Sequence, residues 1–275
     1  MNYLVLKLLP KNLFSKVMGK LAEARLPSPL LQSFLKLYCT YYAVNLQEMA
    51  NTSLKQFNTF NEFFTRQLDP QKRPIDDDPE SVISPVDGKI AEFGEIKNGL
   101  LLQTKGVLYS ISDLVGKKMA RIFKDGYFIT LYLSPSDYHR IHTPVSGTIN
   151  DFSYFSGNLW PVNDLGVSLI GGLFSLNERI VTSIKSECGT VAVVKVGATV
   201  VGKIKLNYSD LSSNKGEKNQ LHLPVFPIKS YQKGDEIGRF QLGSTVILLF
   251  EKDRFKPLQL LQDQSIKMGQ ALGHF

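Results

Sequence analysis

The feature of the chain that most constrains its fold is an internal repeat. The stretches SPVDGKIAEFG (84–94) and TPVSGTINDFS (143–153) share the pattern Pro-Val-x-Gly-x-Ile, and 59 residues separate equivalent positions. A turn followed by a short apolar segment is typical of a β-hairpin. The repeat therefore predicts a duplicated hairpin unit, with a chance match of a common turn as the alternative.

The sequence beyond residue 82 has the character of a β-rich domain. Short β-branched segments alternate there with turn sequences such as VDGK, KNG, KDG, VSG and KGD. This pattern predicts short antiparallel strands. Together with the repeat, it predicts an α+β protein with a β-rich, barrel-sandwich-like core of the kind found in lipoyl and biotinyl carriers. The run 246–250, VILLF, is expected to be a buried core strand.

The first third of the chain has a helical pattern. Two apolar stripes recur at helical spacing: Leu13, Phe14, Val17, Met18 and Leu21, then Leu31, Phe34, Leu35, Tyr38 and Tyr42. Residues 1–50 carry six lysines or arginines against two glutamates. Basic amphipathic helices of this type lie in membrane interfaces. The alternative is that both helices simply pack on the core.

A boundary is expected near residues 70–82, where the sequence is rich in proline and aspartate. It divides the chain into an N-terminal helical, membrane-associating region (1–75) and a β-rich domain (76–275).

Composition excludes several classes of protein. Only two cysteines occur, with no CxxC motif, which argues against a disulfide framework or a cysteine zinc site and favours a reducing compartment. No uncharged apolar run reaches the ~20 residues of a membrane span, and the N-terminus lacks the pattern of a signal peptide. The net charge of +7 suggests an anionic partner. A nucleic acid is disfavoured because the positive charge is concentrated on apolar helices.

Two histidines stand close together in DYHRIHTPVSG, His139 and His142. A metal pair is poorly supported because no partner at ligand spacing accompanies them. A structural pair and a catalytic pair both remain open. The catalytic interpretation gains from possible partners, Asp87 in the first repeat turn and Ser244 in FQLGSTVI, since an Asp–His–Ser set activates a hydroxyl. Spacing alone is weak support, because any chain of this size offers such triples.

The surroundings of Ser244 strengthen this hypothesis. No G-x-S-x-G elbow presents it as a hydrolase nucleophile, but it follows Gly243, whose carbonyl is unhindered. Ser244 Oγ could attack that carbonyl and form an ester. Elimination would release the upstream chain, and hydrolysis of the resulting dehydroalanine would leave a pyruvoyl group and ammonia. A pyruvoyl group is an electrophilic cofactor able to form a Schiff base with an amine.

The chain resembles the phosphatidylserine decarboxylase family in these motifs. PVDG, YHRIHTPVSG and FQLGSTVI carry the resemblance, and FNEFFTRQLDPQKRPID, NLWPVN, LNERIV and VGATVVGKI extend it over roughly residues 60–250. The helical leader is similar to that of the long, membrane-associated bacterial form. The family forms phosphatidylethanolamine with a pyruvoyl cofactor and no metal.

The resemblance implies a role for each candidate residue. Asp87, His142 and Ser244 would form a self-cleavage triad in which His142 is the general base and Asp87 orients it. Cleavage between Gly243 and Ser244 would give a β chain (1–243) and an α chain (244–275). His139 would serve decarboxylation, by protonating the carbon that has lost CO₂. Tyr138 and Asn163 are further candidates for the substrate pocket.

The resemblance also implies where the protein acts. It suggests a homodimer of processed protomers, bound peripherally to the cytoplasmic face of the inner membrane, where phosphatidylserine and other anionic lipids are its partners. The alternative function is a barrel-sandwich carrier or phosphotransfer module that uses His139 or His142. That alternative gives no reason for the sequence LGST, and no Met-Lys dipeptide marks a carrier lysine.

Overall fold

The computed structural model describes residues 11–103, 106–199, 203–214, 219–241 and 245–275. Helices predominate before residue 73, and strands predominate from Ser81 onward. The α-helices in the described residues are α1 (Lys11–Glu23), α2 (Ser28–Tyr42), α3 (Phe60–Phe64), α4 (Ile111–Val115), α5 (Lys117–Phe123), α6 (Asp164–Leu169) and α7 (Leu173–Leu176). Short 3-10 helices span Leu46–Glu48, Leu54–Gln56 and Pro70–Lys72.

The core is built on one large, open sheet of eight described strands. In spatial order these are β11 (Gln220–Tyr231), β7 (Gly147–Phe155), β8 (Arg179–Ser186), β9 (Gly189–Val196), β13 (Thr245–Phe250), β5 (Tyr127–Tyr132), β2 (Gly88–Glu95) and β15 (Ser265–Ile266). All of these neighbours pair antiparallel.

Smaller antiparallel sheets complete the β-rich part. One joins β1 (Ser81–Ile83), β16 (Ala271–His274) and β14 (Lys256–Pro257). Another joins β10 (Lys203–Leu206), β12 (Glu236–Gln241) and β6 (Arg140–His142), and a hairpin joins β3 (Leu100–Gln103) to β4 (Val107–Ser110). The predicted α+β class with a sandwich-like β core is confirmed.

Strand β13 lies at the centre of the large sheet. It is hydrogen-bonded to β5 on one side and to β9 on the other, and all six of its residues are buried. Because side chains alternate across a strand, Val246, Leu248 and Phe250 enter one apolar cluster while Ile247 and Leu249 enter a second. The predicted buried strand is therefore confirmed, and it is fixed on both edges and both faces.

The two copies of the sequence repeat contact each other through equivalent atoms. The Ile83 amide donates to the Pro144 carbonyl at 3.0 Å, and the His142 amide donates to the Pro85 carbonyl at 2.9 Å. Each donor lies two residues before the proline of its own repeat, so the contacts are related by local pseudo-two-fold symmetry. The predicted pseudo-symmetry of the repeat is therefore confirmed, and it brings the segments of Asp87 and His142 side by side. The predicted hairpins are wrong, because the strands before and after each turn, β1 and β2 or β6 and β7, belong to different sheets.

The glycine of each repeat turn is required by a close backbone approach. A Cβ on Gly88 would lie 2.3 Å from the Tyr132 carbonyl oxygen, and one on Gly147 would lie 2.4 Å from that of Lys185. Any side chain at either position would push the adjacent strand away, since protein interiors are close-packed.

The two leader helices differ in how they use their apolar stripes. Helix α2 buries Leu31 and Leu35 in a cluster that also contains Tyr138 and Met268, so this helix packs on the core. In α1 the side chains of Leu13, Phe14, Val17 and Leu21 keep between 47% and 62% of their surface exposed. None of the described helices combines the length and apolarity that a membrane-spanning helix needs.

Candidate active site

The candidate residues come together where the repeat turns meet the strands of the β10–β12–β6 sheet. Asp87 lies in the turn before β2, and His142 is the last residue of β6. Tyr138 and His139 lie in the irregular segment that leads from β5 into β6. Gly243 and Ser244 lie outside the described residues.

His142 has both ring nitrogens engaged. Its Nδ1 is 2.6 Å from the Gly234 carbonyl oxygen, and its Nε2 is 3.0 Å from the Tyr138 hydroxyl. Since a carbonyl only accepts, Nδ1 carries the proton, and the lone pair of Nε2 accepts from Tyr138. Burial lowers the pKa of His142, against the opposing effect of the Gly234 carbonyl. His142 is therefore a neutral imidazole with its basic nitrogen turned to the Tyr138 hydroxyl.

The Asp87 carboxylate is almost fully buried and is bound by groups other than His142. The Arg73 guanidinium donates to both of its oxygens, with Nε–Oδ1 at 2.8 Å and Nη2–Oδ2 at 2.5 Å. The Met268 amide donates to Oδ1 at 2.9 Å, and Lys267 Nζ lies 3.6 Å from Oδ2. In this state Asp87 forms no hydrogen bond with His142, and the Gly234 carbonyl occupies the ring nitrogen that an orienting carboxylate would bind.

His139 lies in a different environment. It is fully buried, its ring centroid is 4.0 Å from that of Phe64, and its Nδ1 donates to the Asp137 carbonyl at 2.9 Å. Its Nε2 has no hydrogen-bond partner among the residues that the structure describes. Burial, followed by the positive charge of Arg66, lowers the pKa of His139 to about 3. His139 is therefore neutral near pH 7, with a free lone pair on Nε2.

The described residues nearest to the predicted cleavage bond are held in strands. Strand β12 ends at Gln241, which pairs with Lys203, and β13 begins at Thr245, which pairs with Tyr132 and Val196. Gln241 Oε1 and Thr245 Oγ1 are buried and lack a partner within the described ranges. Unsatisfied buried polar atoms are rare in folded proteins and mark places where another group binds.

An apolar cavity of about 720 Å³ lies between the leader helices and the core. Its walls include Met18 and Leu21 of α1, Phe34 of α2, Phe64 of α3 and Tyr132 of β5. Phe64 connects this cavity to His139, because the same ring lies against the imidazole at a tilt of 38°. A cavity of this size and character can hold an apolar ligand.

The two further pocket candidates have structural contacts as well. Tyr138 is buried, and its hydroxyl group donates a hydrogen bond to His142 Nε2. Asn163 lines the apolar cavity, and its side chain also caps α6 by accepting from the Gly166 amide at 3.1 Å. Among the described residues, no group of three or more His, Cys, Asp or Glu side chains is arranged to hold a metal ion.

The sequence did not predict two residues of the site: Arg73, which binds the Asp87 carboxylate, and Gly234, whose carbonyl accepts from His142 Nδ1. Arg73 stands in the segment interpreted as a linker, and Gly234 in a turn interpreted only as architecture. Both contacts are long-range and involve a loop, so spacing carried no signal for them. A basic residue amid an acidic stretch, DPQKRPIDDD, was the one available hint.

Comparisons with known proteins identify what this arrangement resembles. A family model described as phosphatidylserine decarboxylase matches residues 60–274. A phosphatidylserine decarboxylase proenzyme from Myxococcus xanthus (strain DK1622) is 40% identical over 273 residues, covering 98% of this chain and 96% of that protein. The proenzyme from Brevibacillus brevis (strain 47) is 40% identical over 268 residues, covering 96% and 94%. That from Shewanella sediminis (strain HAW-EB3) is 40% identical over 253 residues, covering 90% and 88%.

Proposed function

Because this chain belongs to the phosphatidylserine decarboxylase family, we propose that it is made as a proenzyme and decarboxylates phosphatidylserine with a pyruvoyl group formed from its own Ser244. The product is phosphatidylethanolamine, and the enzyme is a lyase. The comparisons give no support to a carrier or phosphotransfer module at His139 or His142.

The pyruvoyl group would form by cleavage of the Gly243–Ser244 bond. Ser244 Oγ attacks the Gly243 carbonyl carbon, the amide becomes an ester, and elimination frees the β chain (1–243) from the α chain (244–275). Hydrolysis of the new N-terminus consumes one water and releases ammonia. Gln241 Oε1 and Thr245 Oγ1, which flank this bond in the sequence and have no partner among the described residues, are a polar setting that fits such a group. Once formed, it supplies an electrophilic carbonyl that withdraws electrons from the substrate amine.

His142 is suited to take the proton from Ser244. Its neutral imidazole, with Nδ1 fixed by Gly234, leaves Nε2 as the proton acceptor. The Tyr138 hydroxyl now occupies that nitrogen, so Tyr138 either relays the proton or moves aside. Asp87 stabilises the positive charge that develops on His142, through the electrostatic field or after a shift toward the ring.

His139 is suited to decarboxylation. Its Nε2 lone pair lacks a partner in the described part of the chain, and its ring lies against Phe64 of the apolar cavity. With the pKa of His139 lowered to about 3, the ring must first accept a proton, from the substrate or from water, before it can return one to the carbon that has lost CO₂.

A lipid substrate explains the exposed face of α1 and the cavity beneath it. The apolar face of α1 would enter the membrane interface while its lysines bind anionic head groups. The cavity, lined by the same helix, would receive acyl chains. We therefore propose that the protein binds peripherally to the cytoplasmic face of the inner membrane. Residues 1–75 would be the membrane-associating region and residues 76–275 the catalytic domain. The processed protein would work as a homodimer.

The observation that carries the proposal is the buried, neutral His142 beside Asp87 in a chain of this family. The test is intact-mass spectrometry combined with a denaturing gel. We expect two chains split at Gly243–Ser244, with the α chain bearing a pyruvoyl N-terminus and the protein releasing CO₂ from phosphatidylserine vesicles. The Ser244→Ala variant should remain one chain without decarboxylase activity. An active wild-type protein that is a single intact chain would refute the proposal.

A further inference from the structure

The carboxylate of Asp87, near the candidate active site, is tightly bound, and its partner comes from the segment that precedes the β-rich part of the chain. Arg73 follows the 3-10 helix Pro70–Lys72, within the stretch where the sequence predicted a boundary. Its guanidinium and the Asp87 carboxylate are only 3% and 2% exposed. The two groups meet as a planar fork on both carboxylate oxygens, which is the strongest geometry for such a pair.

Arg73 is itself held from a second side. Its Nη2 donates to Glu48 Oε2 at 2.6 Å, and Nη1 donates to the neighbouring Lys72 carbonyl at 2.7 Å. Glu48 ends the 3-10 helix Leu46–Glu48 in the leader. Two successive ion pairs, Glu48–Arg73 and Arg73–Asp87, therefore join the helical leader, the segment around Arg73 and the turn that contains Asp87.

Arg73 is a strong base despite its burial. Burial alone would lower the pKa of its guanidinium, but the hydrogen bonds that it donates to Asp87 and Glu48 raise it overall. Burying a charged carboxylate to this extent costs much free energy unless a cation and hydrogen bonds compensate the charge. Arg73 supplies the cation and two of those hydrogen bonds, and the Met268 amide supplies another.

We propose that Arg73, anchored by Glu48, is the positioning residue that holds the Asp87 carboxylate charged and in place for self-cleavage, so that the linker completes the processing site. This inference rests on the proposed function, because it gives Asp87 a part in cleavage at Gly243–Ser244. It adds that the helical region contributes to the chemistry of processing as well as to membrane contact.

The charged and titratable groups around Asp87 are few. Arg73 and Lys267 contact it, and His142, Tyr138 and Arg66 interact with it electrostatically. The charges that act on His142 are those of Glu236, Arg140 and Asp87 rather than that of Arg73. Arg73 binds Asp87 directly and also acts electrostatically on Tyr138, so its shortest route to the processing chemistry is through Asp87.

The experiment measures the rate of self-cleavage against pH. Full-length chains are made by pulsed cell-free translation, shifted to buffers between pH 5.5 and 9, and resolved on a denaturing gel over time. In Arg73→Gln we expect cleavage at pH 7 to slow by about tenfold or more. The acid limb of its pH profile should move to higher pH, because removing an adjacent cation disfavours the charged form of a buried carboxylate. Arg73→Lys keeps the positive charge without the two-pronged hydrogen bonding, so its cleavage rate and the midpoint of its acid limb should lie between those of the wild type and Arg73→Gln.

Three control variants separate this role from a loss of folding. Lys267→Gln removes a half-exposed positive charge 3.6 Å from Asp87 and should change the midpoint much less. Arg179→Gln removes an equally buried arginine that binds backbone carbonyls far from Asp87, and it reports the effect of instability alone. Glu48→Gln should slow cleavage less than tenfold and leave the midpoint in place.

The outcomes distinguish the inference from the proposed function. If Asp87→Asn cleaves at the wild-type rate, the role of Asp87 in the proposed function is wrong. If Asp87→Asn is blocked but Arg73→Gln and Arg73→Lys keep the wild-type pH profile, the inference about Arg73 is wrong and the proposed function stands. Should Arg73→Gln fail to fold, Arg73→Lys decides: a wild-type rate and midpoint in that variant overturn the inference.

Discussion

The surroundings of His142 and of His139 differ sharply, although the two residues are three positions apart and both are neutral through burial. His142 has hydrogen bonds on both ring nitrogens and lies beside the charged Asp87–Arg73 pair. His139 has one nitrogen bonded to a backbone carbonyl, the other without a partner in the described ranges, and a phenylalanine against its face.

The difference shows that burial determines the protonation state of each ring, while the neighbouring groups determine which reaction the ring is suited to. A ring fixed at both nitrogens, with a carboxylate close by, is organised to receive one proton from one direction. A ring with a free lone pair beside an apolar cavity is organised for a ligand that arrives later. One region would act on the chain itself and the other on the lipid, and the predictions below test that separation.

The largest expected effect comes from exchanging each histidine in turn. His142→Gln should slow self-cleavage by about 10²-fold or more, because a general base contributes that much. His139→Gln should cleave normally and lose decarboxylase activity by a similar factor. The measurements are the gel assay for cleavage and CO₂ release for activity. His222→Gln, at an exposed histidine whose side chain is hydrogen-bonded to Ser153, is the control for a histidine substitution away from the site. If His142→Gln and His139→Gln slowed self-cleavage equally, the two histidines would not have the separate roles proposed here.

A smaller effect is expected from filling the apolar cavity. Ala24 is half-buried and lines this cavity, so Ala24→Phe places a ring where acyl chains would lie. We expect kcat/KM for long-chain phosphatidylserine to fall by about tenfold, while a short-chain, dispersed substrate and self-cleavage are little changed. Ala24→Ser is the control for any substitution at this site. A parallel loss with both substrates would show that the cavity does not bind acyl chains.

The sequence predicted much of the fold because its signals are local. Helix α1 follows its apolar stripe, β13 follows the run VILLF, and the repeat turns mark the starts of β2 and β7. The reciprocal contact of the repeats also explains why Asp87 and His142 could be placed together. What the stripe in α1 could not show is that Leu13 and Val17 remain exposed, since amphipathicity is the same for a core and for a membrane.

The site was less predictable because its contacts come from distant segments. The partner of His142 at Nδ1 is Gly234, 92 residues away, and the Met268 amide that binds Asp87 is 181 residues away. Backbone carbonyls and amides have no signature in a sequence, so the expected Asp87–His142 bond was the simplest arrangement available. Arg73 was hidden in the same way, within a segment whose composition indicated only a linker.

The smallest expected effect is on acid stability, and it separates the two histidines thermodynamically. His139 has a pKa of about 3 in the folded protein and an ordinary histidine pKa of about 6.5 when unfolded. Between these values the unfolded chain binds more protons, so the free energy of unfolding falls as the pH drops from about 6.5 towards 3. For one such group the slope is about 1 kcal/mol per pH unit. Burial also lowers the pKa of His142, but this residue keeps 8% of its surface exposed, whereas His139 keeps none.

We therefore expect His139→Gln to flatten the acid dependence of stability more than His142→Gln does. Both variants should be compared in a Ser244→Ala background, because all chains then remain uncleaved. Urea unfolding at intervals between pH 7 and pH 4.5 measures how the free energy of unfolding changes with pH. The difference between the slopes of a variant and of the parent chain gives the contribution of that histidine. A parent chain whose slope is unchanged by His139→Gln would mean that His139 can become charged in the folded protein. The ring could then donate a proton directly, without first taking one from the substrate or from water.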